Sequence, residues 1–261
     1  MTAKPFVKWA GGKRKLLNQI LPIFPKSFGT YHEPMVGGGA VFFELQPQAA
    51  VLNDYNTDLI NTYRVVQQKP EALIKALRKM KNSPEDYNRE RAQSRKSEVL
   101  RAAQFIYLNK LSFNGLYRVN SQGMFNVPYC KDEAREVLDS DSILDASRAL
   151  QGVQLLSGDY LEALRLVEPG DLVFIDPPYD DTFSSYTSVG FNKTDQSCLK
   201  EAVDYLTEIG AYAVVCNSDT PFIRKLYRNY TKLPIQDRYV ISAKGTSRQP
   251  KMTFFITNFD F

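Results

Sequence analysis

Asp176-Pro177-Pro178-Tyr179 is the stretch of this chain best equipped for chemistry. It follows Leu172-Val173-Phe174-Ile175, four apolar residues of which two are β-branched, a pattern that reads as a short, fully buried strand. Proline lacks an N–H and has a fixed φ, so Pro177 and Pro178 end the strand's ladder and stiffen a turn. That turn holds Asp176 and Tyr179 at the carboxyl end of the strand, the edge where open α/β sheets bind ligands. An ionised carboxylate only accepts hydrogen bonds, and a carbonyl beside a proline is an acceptor too. The pair suits a group carrying two N–H donors, such as the exocyclic amine of a nucleobase. Tyr179 adds a flat face for the ring to stack on. Asp-Pro-Pro alone is equally compatible with an ordinary strand end and a proline turn; the tyrosine and the preceding strand favour the ligand-binding reading.

Several classes of chemistry are excluded by inventory. The chain has 261 residues, enough for one substantial core and a smaller appendage. His32 is the only histidine, which argues against hydrolase triads built on histidine. Cys130, Cys198 and Cys216 are odd in number, far apart and without a C-x-x-C pair, so reduced thiols are expected and no metal site is. No apolar run approaches the ~20 residues that span a bilayer, and Met-Thr-Ala-Lys-Pro-Phe at the start lacks a signal-peptide core, so no membrane association is expected. The net charge of +4 is segregated: residues 67–135 carry 14 Lys/Arg against 7 Asp/Glu, a surplus of +7 that leaves −3 elsewhere. A basic module set in a mildly acidic one fits a polyanionic partner, although solvated basic helices have the same composition.

The elements that must position the turn begin at the N-terminus. Lys8-Trp9-Ala10-Gly11-Gly12-Lys13 precedes a helical pattern, which presents backbone N–H groups suited to an anion. It is no P-loop, since Val7 replaces the first glycine and Arg14 the Ser or Thr after the lysine. Gly37-Gly38-Gly39 lies between a short strand and the apolar run Ala40–Phe43, and glycines there let backbone approach a ligand closely. Ala49–Asp54 reads as a second strand ending in an acid, which suits ribose hydroxyls or, alternatively, an N-cap for a helix over Thr57–Val66.

Taken together, K-W-A-G-G-K at 8–13, E-P-M-V-G-G-G-A-V-F-F at 33–43, N-D-Y-N at 53–56 and D-P-P-Y at 176–179 are similar to the motifs of the α-class, Dam-type DNA adenine-N6 methyltransferases. The glycine motif precedes D-P-P-Y with a long insert between them, as in that class, and the resemblance spans nearly the whole chain. D-P-P-Y itself resembles motif IV of the amino-methyltransferases, where Asp is the form typical of adenine enzymes. The resemblance implies S-adenosylmethionine as cofactor, with Trp9, Lys13, Asp54 and Asp176 contacting it. Gly37 joins that set from the glycine-rich turn, and Asp159 is implied beside the adenine moiety. Asp176, Pro177 and Tyr179 are the expected catalytic residues, gripping a flipped adenine.

The insert has helical stretches at Pro70–Met80 and Glu98–Leu111 and then alternates on either side of Ser121-Gln122-Gly123, as a β-hairpin does. Period two places Arg118 and Asn120 on one face and Tyr117 and Val119 on the other, with Asn126 able to join the polar face after the turn. A two-stranded ribbon fits the major groove of duplex DNA. F-N-G-L-Y-R-V-N followed by G-M-F-N-V-P resembles the family's recognition hairpin. By that resemblance Phe113 and Asn114 enter or brace the duplex, Leu116 and Pro128 touch a thymine, Arg118 and Lys8 contact guanines, and Asn120 and Asn126 support them. GATC is the favoured target, with GATATC open for the outer bases. Lys131 stands where the Dam pattern has an arginine, which weakens any contact inferred there.

Beyond the insert, Val153–Asp159 reads as a strand ending in an acid, Asp180–Lys193 as a closing loop, Cys198–Ile209 as a helix, Ala211–Cys216 as a buried strand, and Ile235–Ala243 with Lys251–Phe259 as a final strand pair. The expected fold is a doubly wound, Rossmann-like α/β sheet interrupted by a helical and β-hairpin insert. Residues 1–55 and 146–261 would form the catalytic core and 56–145 the target-recognition domain. The expected activity is S-adenosylmethionine-dependent methylation of adenine N6 in double-stranded DNA. Alternatives are a cytosine-N4 or other amino-methyltransferase and a catalytically silent DNA-binding relative. The expected setting is the cytoplasm and nucleoid of a bacterial or phage-infected cell, compatible with a separately acting restriction endonuclease; no pattern points to an oligomeric state.

Overall fold

The computed structural model describes residues 3–120, 122–180, 191–237 and 251–261. Seven strands form one sheet: β1 (Tyr31–Glu33), β2 (Ala50–Asp54), β3 (Gln154–Ser157), β4 (Leu172–Ile175), β5 (Tyr212–Ser218), β6 (Thr231–Asp237) and β7 (Lys251–Thr257), in the order β3-β2-β1-β4-β5-β7-β6. The order reverses between β1 and β4, the topological switch of doubly wound sheets. Pairing is parallel in β1–β4, β2–β3 and β4–β5, whereas β7 runs antiparallel to both β5 and β6. All four residues of β4 are buried, as its unbroken apolar run requires.

Two compact units make up the chain: Met1–Leu17 with Val36–Tyr160, and Asn18–Met35 with Leu161–Phe261. In the first unit the Thr57–Gln68 helix packs on β2, β3 and the Glu98–Leu111 helix. The helices expected in the insert therefore share one core with strands β2 and β3. Asn56 caps the Thr57–Gln68 helix, its Oδ1 accepting from the Asp58 and Leu59 amides at 3.1 and 3.0 Å. This resolves the two readings of Asp54 in one respect: the N-cap is Asn56.

In the second unit the helix expected from Cys198 starts at Lys193. Asn192 and Asp195 form a capping box, a polar start that an apolar pattern does not register. Strand β6 begins four residues before the expected Ile235, and the expected strand's end at Ala243 lies outside the described residues. So does most of the expected closing loop, 181–190.

His32 is buried on β1, and its Nε2 lies 2.9 Å from Asp171 Oδ2. Asp171 also accepts from the amides of Thr30 (2.7 Å) and Glu168 (2.9 Å), tying the starts of β1 and β4 together. Burial holds the imidazole below its ordinary pKa, with Asp171 pulling the other way. Protonation would place a second N–H at Nδ1, which has no acceptor in reach among the described residues. The unfolded chain therefore takes up a proton that the folded chain refuses. The contribution is intact above pH ~6.5 and is lost as pH falls from there through the folded value. Thermal melts should show Tm falling across that window in the parent and a smaller fall in His32→Gln.

Candidate functional site

The first unit assembles a glycine turn, a tryptophan and a carboxylate. Asp54 ends β2, its Oδ2 accepting from the Gly37 amide and its Oδ1 from the Asn56 amide, each at 2.9 Å. Burial raises its carboxyl pKa, and the Asn56 and Gly37 amides pull it back. An anion kept in such a place is compensated further by any hydroxyl that donates to its remaining lone pairs. Gly37 is buried at φ +49, and a Cβ built on it would lie 2.5 Å from Trp9 Cδ1 and 2.7 Å from Nε1. The Gly37 carbonyl accepts from the Tyr63 hydroxyl at 3.1 Å. Only glycine allows the indole this close to the loop.

Lys13 is buried in a four-residue 3-10 helix, and its ammonium donates to the Gly11 carbonyl at 2.6 Å. The Gly11-Gly12 segment thus starts a short 3-10 turn, and the Gly12 amide is already donated to the Trp9 carbonyl at 3.1 Å. Asp159 is exposed and follows Gly158. Gly158 is tied to the end of β2 by its amide to the Asp54 carbonyl (3.1 Å) and by the Asn53 side chain to its own carbonyl (3.0 Å).

The same unit carries the candidate nucleic-acid surface. The expected β-hairpin is present as an antiparallel ribbon held by isolated bridges, Ser112↔Tyr129 and Val119↔Phe125, and not as a continuous ladder. The interruption is a 3-10 turn at Phe113–Gly115, in which Asn114 (φ 56) and Gly115 (φ 65) are left-handed. Phe113, at the start of that turn, is 52% exposed. The alternation holds beyond it. Arg118 is exposed and its Nε donates to Asn126 Oδ1 at 2.7 Å, so Asn126 does join the polar face. Asn120 instead serves the backbone, where its Oδ1 accepts from the Gln122 and Met124 amides at 3.0 and 2.9 Å and shapes the tip. Leu116 is half-buried and Pro128 exposed. Exposed Lys8 is tied to the ribbon's base through buried Asn109, which accepts from the Lys8 amide (2.8 Å) and donates to the carbonyls of Lys8 (2.8 Å) and Gly115 (3.1 Å).

The second unit carries the proline turn. Asp176 and Tyr179 are half-buried at the carboxyl end of β4, and Pro177 is buried. Behind the turn lies a polar cluster that sequence reasoning did not anticipate. Gln196 donates to the Pro178 carbonyl (2.9 Å) and accepts from Asn217 Nδ2 (2.9 Å). Asn217 Oδ1 takes the Asp180 and Ser218 amides at 3.1 and 2.9 Å. Ser218 Oγ donates to the Asp180 carbonyl (2.7 Å), and Thr220 Oγ1 to Asp180 Oδ2 (2.6 Å). The available signal was Asn217-Ser218-Asp219-Thr220, four polar residues directly after the apolar run of β5. A satisfied buried network of this kind fixes a turn in one geometry.

Comparison with known proteins decides the class. The sequence model of the D12 class N6 adenine-specific DNA methyltransferases matches residues 9–241. The chain belongs to that family. It is 38% identical over 271 aligned positions to the Type II methyltransferase M1.LlaDCHI of Lactococcus lactis subsp. cremoris, covering 98% of this chain and 95% of that one. To M.MjaIII of Methanocaldococcus jannaschii it is 35% identical, covering 95% and 96% of the two chains. To the DNA adenine methylase of Escherichia coli K12 it is 30% identical, covering 94% and 92%.

This D12 methyltransferase is thus an adenine-specific DNA-modifying enzyme with the expected α/β fold, and S-adenosylmethionine is its methyl donor. The cytosine-N4 alternative falls with the adenine-specific family. The first unit fits such a donor: a strand-end carboxylate with lone pairs to spare for ribose hydroxyls stands beside a glycine turn and an indole. Among the described residues no helix is long and apolar enough to cross a membrane, and no cluster of His, Cys, Asp and Glu could hold a metal ion.

Proposed function

We propose that this chain methylates adenine N6 within GATC in double-stranded DNA, acting on an adenine flipped out of the duplex. The observation that carries the reading is the Asp176–Tyr179 turn at the end of β4, backed by Gln196 and Asn217. S-adenosylmethionine supplies an electrophilic methyl group. The Asp176 carboxylate and the Pro177 carbonyl accept hydrogen bonds from the two N6 N–H groups, orient the amine and draw its lone pair back from the ring, which is what a poor nucleophile needs. Stacking on Tyr179, worth ~1–3 kcal/mol, offsets much of the few kcal/mol, roughly, that flipping costs. Trp9, Lys13, Gly37, Asp54 and Asp159 hold the donor.

In this reading residues 56–145 serve target recognition and the remainder catalysis. Arg118 reads a guanine, its guanidinium aimed by Asn126. Lys8 contacts the other guanine, Leu116 and Pro128 the thymine, and exposed Phe113 with Asn114 fills or braces the gap left by the flipped base. The exposure of Phe113 at the start of its 3-10 turn supports that role. The reading leaves room for a separately acting restriction endonuclease as partner in a bacterial or phage-infected cell.

The test is methylation of plasmids that carry either GATC or GATATC sites, read by endonucleases that differ in tolerance of N6-methyladenine. Protection confined to GATATC plasmids, or label on neither, overturns the GATC assignment. Arg118→Ala should lower kcat/KM on the cognate duplex by about 5–150-fold, the equivalent of ~1–3 kcal/mol, and leave mismatched duplexes little changed. An equal loss on both would make Arg118 a phosphate contact.

A further inference from the structure

The ribbon face opposite Arg118 carries Tyr117, a half-buried residue with no place in the reaction described above. Its ring lies against Trp9 (5.7 Å between centroids, 23° between planes), Phe105 of the Glu98–Leu111 helix (4.8 Å, 31°) and, edge-on, Phe125 of the returning arm (5.5 Å, 62°). Burial, with Asp58 acting in the same direction, pushes the phenol up to about 12, so the hydroxyl stays protonated.

These contacts form a chain. Tyr117 is stacked on Trp9, Trp9 abuts Gly37, and the Gly37 amide donates to Asp54. A shift of Trp9 at the Gly37 and Asp54 end is therefore felt at the ring of Tyr117. Tyr117 is joined directly to Arg118, and Phe125, which Tyr117 touches, to Asn126, the partner of the Arg118 guanidinium.

We propose that Tyr117 is a positioning residue that couples donor binding at Trp9 and Asp54 to base reading by Arg118. The inference rests on the proposed roles of those three residues. Thermodynamic linkage then requires the donor to tighten cognate DNA by the same factor that cognate DNA tightens the donor.

Trp9 is the only tryptophan, so intrinsic fluorescence reports on the joint itself. The affinity of S-adenosylhomocysteine is to be measured by fluorescence and calorimetry with and without saturating GATC duplex, and that of the duplex with and without S-adenosylhomocysteine. The full-length parent should show two equal ratios of about 5–150-fold. Tyr117→Leu should bring both to within about twofold of one, while each ligand still binds alone. Tyr117→Phe keeps the ring contacts and should hold both ratios within about twofold of the parent.

A parent ratio of one overturns the proposal. So does a Tyr117→Leu protein whose Tm and separate affinities fall while the ratio stays, since that is all a structural role would do. Should Tyr117→Leu fail to fold, Phe125→Leu removes the ring that joins Tyr117 to the arm carrying Asn126, and an unchanged ratio in that variant overturns it instead. A parent that binds neither ligand sinks the proposed function, whereas binding of both without coupling sinks only this inference.

Discussion

Asp176→Ala should reduce methyl transfer to GATC duplexes by at least about 10²–10³-fold, the scale of losing a preorganised group at a reacting centre. Affinities for S-adenosylhomocysteine and for DNA should change far less. The reason lies in what the carboxylate does: it accepts from an amine whose lone pair is delocalised, and that acceptance matters most as the new N–C bond forms. The turn itself should survive, because its scaffold is elsewhere. Gln196 holds the Pro178 carbonyl, and Asn217, Ser218 and Thr220 hold Asp180. Asp176→Asn should retain more activity than Asp176→Ala, since the amide keeps one acceptor while its NH2 opposes the substrate's own donors. Transfer of labelled methyl groups to duplex, with calorimetry of each ligand, separates these outcomes. Turnover within about tenfold of the parent in Asp176→Ala would remove the residue from the chemistry.

Gly37→Ala should cost about 2–5 kcal/mol in stability and most of the affinity for the donor. The cost has two sources. A left-handed φ of +49 penalises any Cβ by ~1–2 kcal/mol. The new methyl would also sit 2.5 Å from the Trp9 ring, and overpacking of that kind costs ~1–3 kcal/mol. Trp9 cannot retreat freely, for Tyr117 and Phe105 are stacked on it at 5.7 and 6.4 Å. The Gly37 amide and carbonyl are committed as well, to Asp54 and Tyr63. Gly152→Ala is the matched control, with a φ of +76 and nothing within 4 Å of the added carbon. It should lose only the conformational part and leave donor affinity alone. Denaturant melts and Trp9 fluorescence read both variants, and equal losses in the two would assign the whole effect to backbone strain.

Local pattern carried much of this protein on its own. The run Leu172–Ile175 could only be a buried strand, two prolines had to end it, and the acids at Asp54 and Asp176 fell at strand ends because apolar runs stop where polar residues begin. The Glu98–Leu111 helix and the two-faced ribbon were legible for the same reason, since a period of 3.6 or 2 is a property of neighbours in sequence. Tertiary structure alone decided the rest. Gln196 and Asn217 lie 21 residues apart and look like ordinary polar residues until they meet behind the Pro178 carbonyl. Asn109 and Lys8 are separated by 101 residues, and Asn56 could be told from Asp54 as the helix cap only once the geometry of both was known. The 3-10 turn at Phe113–Gly115 broke a ladder that alternation alone predicts to be continuous. A hydrogen bond or a stack between distant residues leaves no periodic trace in either segment, because it depends on where the chain returns and not on what stands beside it.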